Sequence, residues 1–285
     1  MAGPWDKRPP RAQPPSGPRP GADRPRRHPA ASRDPQPAVP ATARSEVRLY
    51  GLNAVDAVFR RRPEAIRKLY LVESRIPALK PLLAWCVKHR VGYRVVEEGD
   101  LERLAASSHH EGVVADVLRV EPQPLDGWLH GLGPAALALW LDGVGNPHNF
   151  GAILRTAAHF GASVLLPAGS PLALSGAAAR VAEGGAEAVT LVRLPPSAEA
   201  IDALRRAGFQ LAATVVRGGE DLFAVELPAR LVLVRGAEGE GMDAALAAAC
   251  DRRLSIPGSG AVESLNVAAA TAVFLSRWAA RNFTV

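Results

Sequence analysis

Between residues 137 and 280, short runs of almost continuous apolar residues alternate with segments of helical spacing. The runs at 137–141, 163–166, 189–194, 210–215, 231–234 and 253–256 read as strands. The segments 152–160, 176–183, 198–207, 244–250 and 265–280 read as helices. A strand with one wet face alternates apolar and polar residues, and most of these runs do not. Both faces must be covered, as in a mostly parallel sheet with a helix between successive strands. In such sheets a ligand sits where loops leave the carboxyl ends of the strands. The loops after Leu141, Val234 and Ile256 are therefore the places to look for chemistry.

All three are unusual in composition. In the first, Asn149 is expected just before the first helical turn, where its amide can cap the helix or hold a ligand. Arg155 follows about a turn later, beside a helix start that favours anions such as phosphate. The second loop sets Gly236, Gly239 and Gly241 around Glu238, so its backbone can approach a flat ligand and offer N–H groups. The third places Pro257, Gly258 and Gly260 before a helix begun by Ser264-Leu265-Asn266, whose hydroxyl and amide are again caps or ligands. Taken singly, each loop could be an ordinary turn or cap. Residues 131–136 imitate a dinucleotide-binding glycine motif, but no strand precedes them and Pro134 interrupts it; a P-loop is also absent.

Together the loops resemble the three motifs of the SpoU/TrmH RNA methyltransferases. The first stands here as Asn146-Pro147-His148-Asn149-Phe150-Gly151-Ala152-Ile153-Leu154-Arg155-Thr156-Ala157. The second is Gly236-Ala237-Glu238-Gly239-Glu240-Gly241, and the third Ile256-Pro257 with Ser264-Leu265-Asn266-Val267. Gly258 replaces the Met usual in that family, and Glu263 and Arg235 are further departures. The resemblance covers residues 137–281. It implies a SPOUT α/β domain with a deep trefoil knot, a homodimer with each active site near the subunit interface, and S-adenosylmethionine as methyl donor. Knots are otherwise very rare, so nothing but the resemblance points to one. By matching of positions, Thr214, Gly236, Ile256 and Leu265 would hold the cofactor. Arg155, Asn149, Glu238, Ser264 and Asn266 would form the catalytic set. The reaction implied is transfer of a methyl group to a ribose 2′-hydroxyl. Arginine keeps its proton in essentially all proteins. Arg155 is therefore better read as a phosphate ligand and stabiliser of the developing alkoxide than as a free base. A phosphate oxygen, water or a perturbed Arg155 could take the proton.

Ahead of this domain, a helix at 55–59 ends in Arg60-Arg61-Arg62. Strands are expected at 66–72, 93–96 and 113–117, and helices at 78–87 and 101–106. This α/β unit, 46–120, resembles the family's substrate-binding domain, itself similar to a ribosomal-protein fold that binds kinked RNA. Tyr50-Gly51-Leu52-Asn53-Ala54-Val55 and His110-Glu111-Gly112-Val113 carry the likeness. Arg60, Arg61, Arg62, Arg67 and Lys68 are candidate phosphate contacts, or else a solvated basic face. Residues 121–136, with several Pro and Gly, read as a linker.

Residues 1–45 hold twelve of the 25 prolines and no Ile, Leu or Phe, too little apolar surface to offset ordering, and are expected to be disordered. They carry nine of the 34 Lys and Arg but three of the 28 Asp and Glu, so the whole net charge of +6 lies there. That tail suits a polyanion or is simply a soluble extension. Cys86 and Cys250 have no metal spacing and form no disulfide framework, which fits a cytoplasmic protein. No secretory leader or membrane span is read, and no metal is expected. An RNA-binding unit of this kind favours rRNA over tRNA as substrate. The competing readings are a tRNA enzyme, a non-catalytic RNA-binding protein of the same fold, and a tail-driven RNA chaperone.

Overall fold

The structure, a computed structural model, describes residues 46–170, 173–236 and 242–282. The expected disorder of 1–45 lies outside the described residues.

The first sheet contains β1 (Glu46–Tyr50), β2 (Ile66–Leu71), β3 (Gly92–Val95) and β4 (Val113–Leu118) in the order β1-β4-β2-β3. β4 runs antiparallel to both β1 and β2, and β2 pairs β3 in parallel. Three helices join them: α1 (Leu52–Arg61), α2 (Lys80–His89) and α3 (Glu98–Ala105). Leu69 and Leu71 of β2 and Val113, Ala115 and Val117 of β4 pack in one core with Val55 and Val58 of α1. The β2–β4 register slips between Ile66 and Lys68, a bulge at Arg67 that leaves this side chain exposed. β1 was not anticipated from the sequence. Its five residues abut the Pro-rich segment, and their alternation is too short to stand out.

The second sheet is parallel throughout, in the order β10-β12-β9-β11-β6-β7-β8-β5. Its central strands are β6 (Ala136–Leu141), β7 (Ser163–Leu166), β9 (Gln210–Thr214) and β11 (Arg230–Arg235). Alongside lie β5 (Gln123–Pro124), β8 (Leu191–Arg193), β10 (Glu220–Asp221) and β12 (Arg252–Ser255). All six residues of β6 are buried. Leu137, Leu139 and Leu141 enter one core while Ala138 and Trp140 enter the other; in β11, Leu231 and Leu233 part from Val232 and Val234 in the same way. Two covered faces are the reason β6 is apolar at every position and β11 is apolar from Leu231 to Val234.

The helices are α4 (Leu125–His130), α5 (Pro147–His159), α6 (Gly176–Ala182), α7 (Gly185–Ala188), α8 (Ser197–Arg206), α9 (Ala244–Ala249) and α10 (Val267–Asn282). The segment read as a linker is structured: β5 extends the large sheet, and α4 buries Leu125 and Trp128. Trp128 stacks on Phe209 and donates to Ser163 Oγ at 2.9 Å.

The small sheet and the large-sheet unit pack directly. A Cβ on Gly176 would lie 2.6 Å from the Tyr50 ring and 2.7 Å from the Arg48 carbonyl, so the absent side chain permits the approach. Arg119 donates to the Leu174 carbonyl at 2.9 Å. Arg62 at the end of α1 forms a forked ion pair with Glu187 of α7 at 2.6 and 2.7 Å and also donates to the Leu118 carbonyl.

Candidate active site

β9, β11 and β12 lie side by side and end together, because β12 pairs β9 on the side away from β11. Their carboxyl ends, with the loop into α10, enclose a cavity of about 560 Å³, within the usual range for a small-molecule site. Thr214, Gly236, Ile256 and Leu265, the four residues the resemblance assigns to the cofactor, all line it, as does Ser264. Thr214 Oγ1 donates to the Val234 carbonyl at 3.1 Å and accepts from the Arg235 guanidinium at 3.3 Å. The lining combines apolar Ile256, Leu265 and Phe274 with polar Thr214 and Ser255, a mixture that suits a flat heterocycle with a polar tail. Arg217, Arg235 and Glu263 bring charges to the same cavity. Of these, sequence reading had marked Arg235 and Glu263 as unusual and had missed Arg217.

Beside the cavity, Asn266 joins two helix starts. Its Oδ1 accepts from the backbone N–H of Ala268 (2.9 Å) and Ala269 (3.4 Å), capping α10, and its Nδ2 donates to Asn149 Oδ1 at 3.1 Å. α10 thus begins at Val267 rather than Leu265. Asn149 does not precede its helix, as expected from sequence. Asn146 caps α5, accepting from His148 N–H at 2.8 Å, and Pro147 opens the helix, where a missing N–H costs nothing. Asn149 is therefore inside the first turn of α5, half-buried.

Arg155 is not among the residues lining this cavity. Six residues beyond Asn149, it emerges from the helix at an angle of about 120° to it. It is exposed in a second, open cleft of about 590 Å³, lined also by Thr156, His159, Glu183 and Gly185. Within one chain, then, Asn149, Ser264 and Asn266 lie at or beside the cavity and Arg155 lies apart. Glu238 falls outside the described residues.

The candidate RNA contacts also divide. Arg61 and Arg67 are exposed, and Arg60 is exposed while paired with Asp56 at 2.7 Å. Lys68 is half-buried, its ammonium 5.0 Å above the Tyr70 ring. Arg62 must be corrected. Its side chain is 16% exposed and its partner Glu187 3%, so the guanidinium is committed within the protein and has no free fork for a phosphate. Sequence reading missed Glu183, whose carboxyl is held below the usual carboxylate range. The Asn53 hydrogen bond contributes most, with Arg180 and Arg155 adding. Among the described residues no cluster of three His, Cys, Asp or Glu side chains could hold a metal ion, and no helix is long and apolar enough to cross a membrane.

Comparison with known proteins converges on one family. Residues 136–276 match the SpoU rRNA Methylase family, and residues 48–123 match the RNA 2′-O ribose methyltransferase substrate binding domain. The chain is 37% identical over 237 residues to the uncharacterized tRNA/rRNA methyltransferase YfiF of Escherichia coli O157:H7, covering 83% of this chain and 69% of that one. It is 34% identical over 233 residues to the 23S rRNA (guanosine-2′-O-)-methyltransferase RlmB of Pseudomonas putida, covering 80% and 94%. In fold it resembles the SpoU methyltransferase AviRb of Streptomyces viridochromogenes, solved with AdoMet. The TM-score there is 0.70 at 23% identity, with 84% and 92% of the two chains covered. The motif loops at the strand ends, the preceding small sheet and these likenesses agree: the chain belongs to the SpoU family of RNA methyltransferases.

Proposed function

We propose that the protein transfers a methyl group from S-adenosylmethionine to a ribose 2′-hydroxyl of structured RNA, with rRNA as the substrate class, and that it works as a cytoplasmic homodimer. The observation that carries this reading is the cavity at the ends of β9, β11 and β12, with the Asn149–Asn266 pair beside it. Thr214, Gly236, Ile256 and Leu265 would hold the cofactor, which supplies an electrophilic methyl group on a sulfonium centre. The trefoil knot implied by the family would lie in the loops after β11 and β12.

The chain's own residues do the orienting. Asn266 is fixed by capping α10 and in turn fixes Asn149, so the two amides present a preset hydrogen-bonding surface beside the cavity. A preset donor costs no reorganisation when the ribose oxygen must be aligned with the methyl carbon. Ser264 lies on the same rim. Arg155 serves as an anion ligand, binding an RNA phosphate and stabilising charge that develops on the 2′-oxygen. Its separation from the cavity in its own chain supports the dimer: a second copy would bring the guanidinium to the site. Exposed Arg60, Arg61 and Arg67, with half-buried Lys68, would contact the RNA backbone.

The rRNA assignment rests on the substrate-binding match and on the RlmB likeness. It is tested by mapping ribose methylation in RNA from cells with and without the gene. A 2′-O-methyl mark present only with the gene and confined to rRNA supports it. A gene-dependent mark confined to tRNA replaces the substrate class and keeps the chemistry.

A further inference from the structure

The corner between α6 and α7 has features that the site described above does not use. Glu183 ends α6 with φ 51°, and Gly184 follows with φ 86°. Two successive left-handed residues suit glycine, and an L side chain in the first position is strained unless something holds it. The Glu183 carboxylate is held twice. It accepts from Asn53 Nδ2 of α1 at 2.5 Å and pairs with Arg180. Arg180 also pairs with Glu111 at 2.5 Å, and Glu111 accepts the Leu52 N–H at 2.8 Å. One side of the corner is thus tied to the start of α1, in the substrate-binding unit.

The other side faces Arg155. Glu183 and Arg155 line the same cleft, and among the described residues Glu183 is the only acidic side chain lining it. Gly185 sits so close to α5 that a Cβ there would be 2.8 Å from Arg155 Cα. The corner therefore packs on the backbone that carries the guanidinium. Arg155 itself is exposed, on a long side chain whose free rotation would oppose any fixed geometry.

We infer that Glu183 is a positioning residue for Arg155. Its carboxylate, anchored by Asn53 and Arg180, orients the Arg155 guanidinium and makes that orientation depend on the seating of the substrate-binding unit. This rests on the reading that Arg155 acts in methyl transfer.

The test uses the full chain and four variants: Glu183→Gly, Glu183→Gln, Arg155→Ala and the double Glu183→Gly/Arg155→Ala. Labelled methyl transfer to RNA from cells lacking the gene gives kcat and KM, calorimetry gives S-adenosylmethionine affinity, and a melt gives stability. Glycine relieves the backbone strain and so offsets part of the stability lost with the Asn53 and Arg180 contacts; Glu183→Gly should remain folded, and the melt checks that it does. Its kcat should nonetheless fall roughly tenfold to a hundredfold, the scale of a misplaced catalytic group. KM for RNA and cofactor affinity should hold, Glu183→Gln should fall between, and Glu183→Gly should add no loss to Arg155→Ala. Wild-type kcat in Glu183→Gly beside an inactive Arg155→Ala would overturn the inference and leave the Arg155 reading intact. So would an additive double variant, or a loss confined to KM. A fully active Arg155→Ala would instead remove the reading on which the inference rests.

Discussion

Asn266 donates from Nδ2 to Asn149 Oδ1 across 3.1 Å while its Oδ1 caps α10. One side chain therefore carries both a structural and a site-building bond, and the two can be separated. Asn266→Asp keeps the acceptor for the Ala268 and Ala269 N–H groups and loses the donor to Asn149. It should melt near the wild type while transfer falls at least tenfold, the scale for losing one preset hydrogen bond. Asn266→Ala should lose the cap as well, at about 1 kcal/mol. Equal activity in wild type and Asn266→Asp would remove the pair from the site.

Arg62 and Glu187 should behave as a structural pair. Arg62→Ala leaves a carboxylate that is 3% exposed without its partner, and chemical denaturation should report a loss of about 3–5 kcal/mol. Arg61→Ala, on the exposed surface, should change stability by less than about 0.5 kcal/mol. If Arg61 contacts RNA backbone, its removal should lower the salt dependence of RNA binding by about one unit of slope. A stable Arg62→Ala with weakened RNA binding would reverse the assignment.

Filling the cavity should separate cofactor binding from RNA binding. Ile256→Trp places a large ring among Thr214, Leu265 and Phe274. S-adenosylmethionine affinity by calorimetry should drop more than about tenfold, equivalent to about 1.4 kcal/mol, with RNA binding retained. Unchanged cofactor affinity would place the cofactor elsewhere.

The depressed Glu183 carboxyl also has a pH signature. A carboxyl more acidic in the folded chain than in the unfolded one contributes stability that is complete above the unfolded value. That contribution is lost as pH falls through the folded one. Between about pH 5 and the lower folded value, Glu183→Gln should therefore lose stability less steeply than the wild type on acidification. Parallel acid profiles would show that the carboxylate contributes nothing.

Burial pushes the Cys250 thiol up to about 11 and raises that of Cys86 as well. Neither should react with a disulfide reagent at pH 8 in the folded protein, and both should react on unfolding, since the thiolate is the reactive form. Fast labelling of either in the native state would contradict its placement.

The large sheet was legible because its strands are covered on both faces. Leu137, Leu139 and Leu141 had to serve one core and Ala138 and Trp140 the other, and that demand is written as a continuous apolar run. The cavity was legible through the motif residues, since strand ends collect ligand loops. What escaped was set by partners remote in sequence. Arg62 looks like its exposed neighbour Arg61 until α7 supplies Glu187, 125 residues on. Asn149 looked like a cap because Asn146, three residues earlier, competes for the same role with Pro147 behind it. β5 and β10 have two residues each, too few for any periodicity, and α4 hides in a segment rich in turn residues. Glu183 could have been suspected from the Gly184-Gly185 pair that follows it, but not its reach to Asn53.

The most direct test of the central claim is methyl transfer from labelled S-adenosylmethionine to total RNA from cells lacking the gene, with wild type and Arg155→Ala compared. The account predicts label in rRNA, recovered as a 2′-O-methylated nucleoside and lost in the variant. A wild-type protein that binds neither the cofactor nor transfers its methyl group to any RNA would contradict it and favour an RNA-binding protein that retains only the fold.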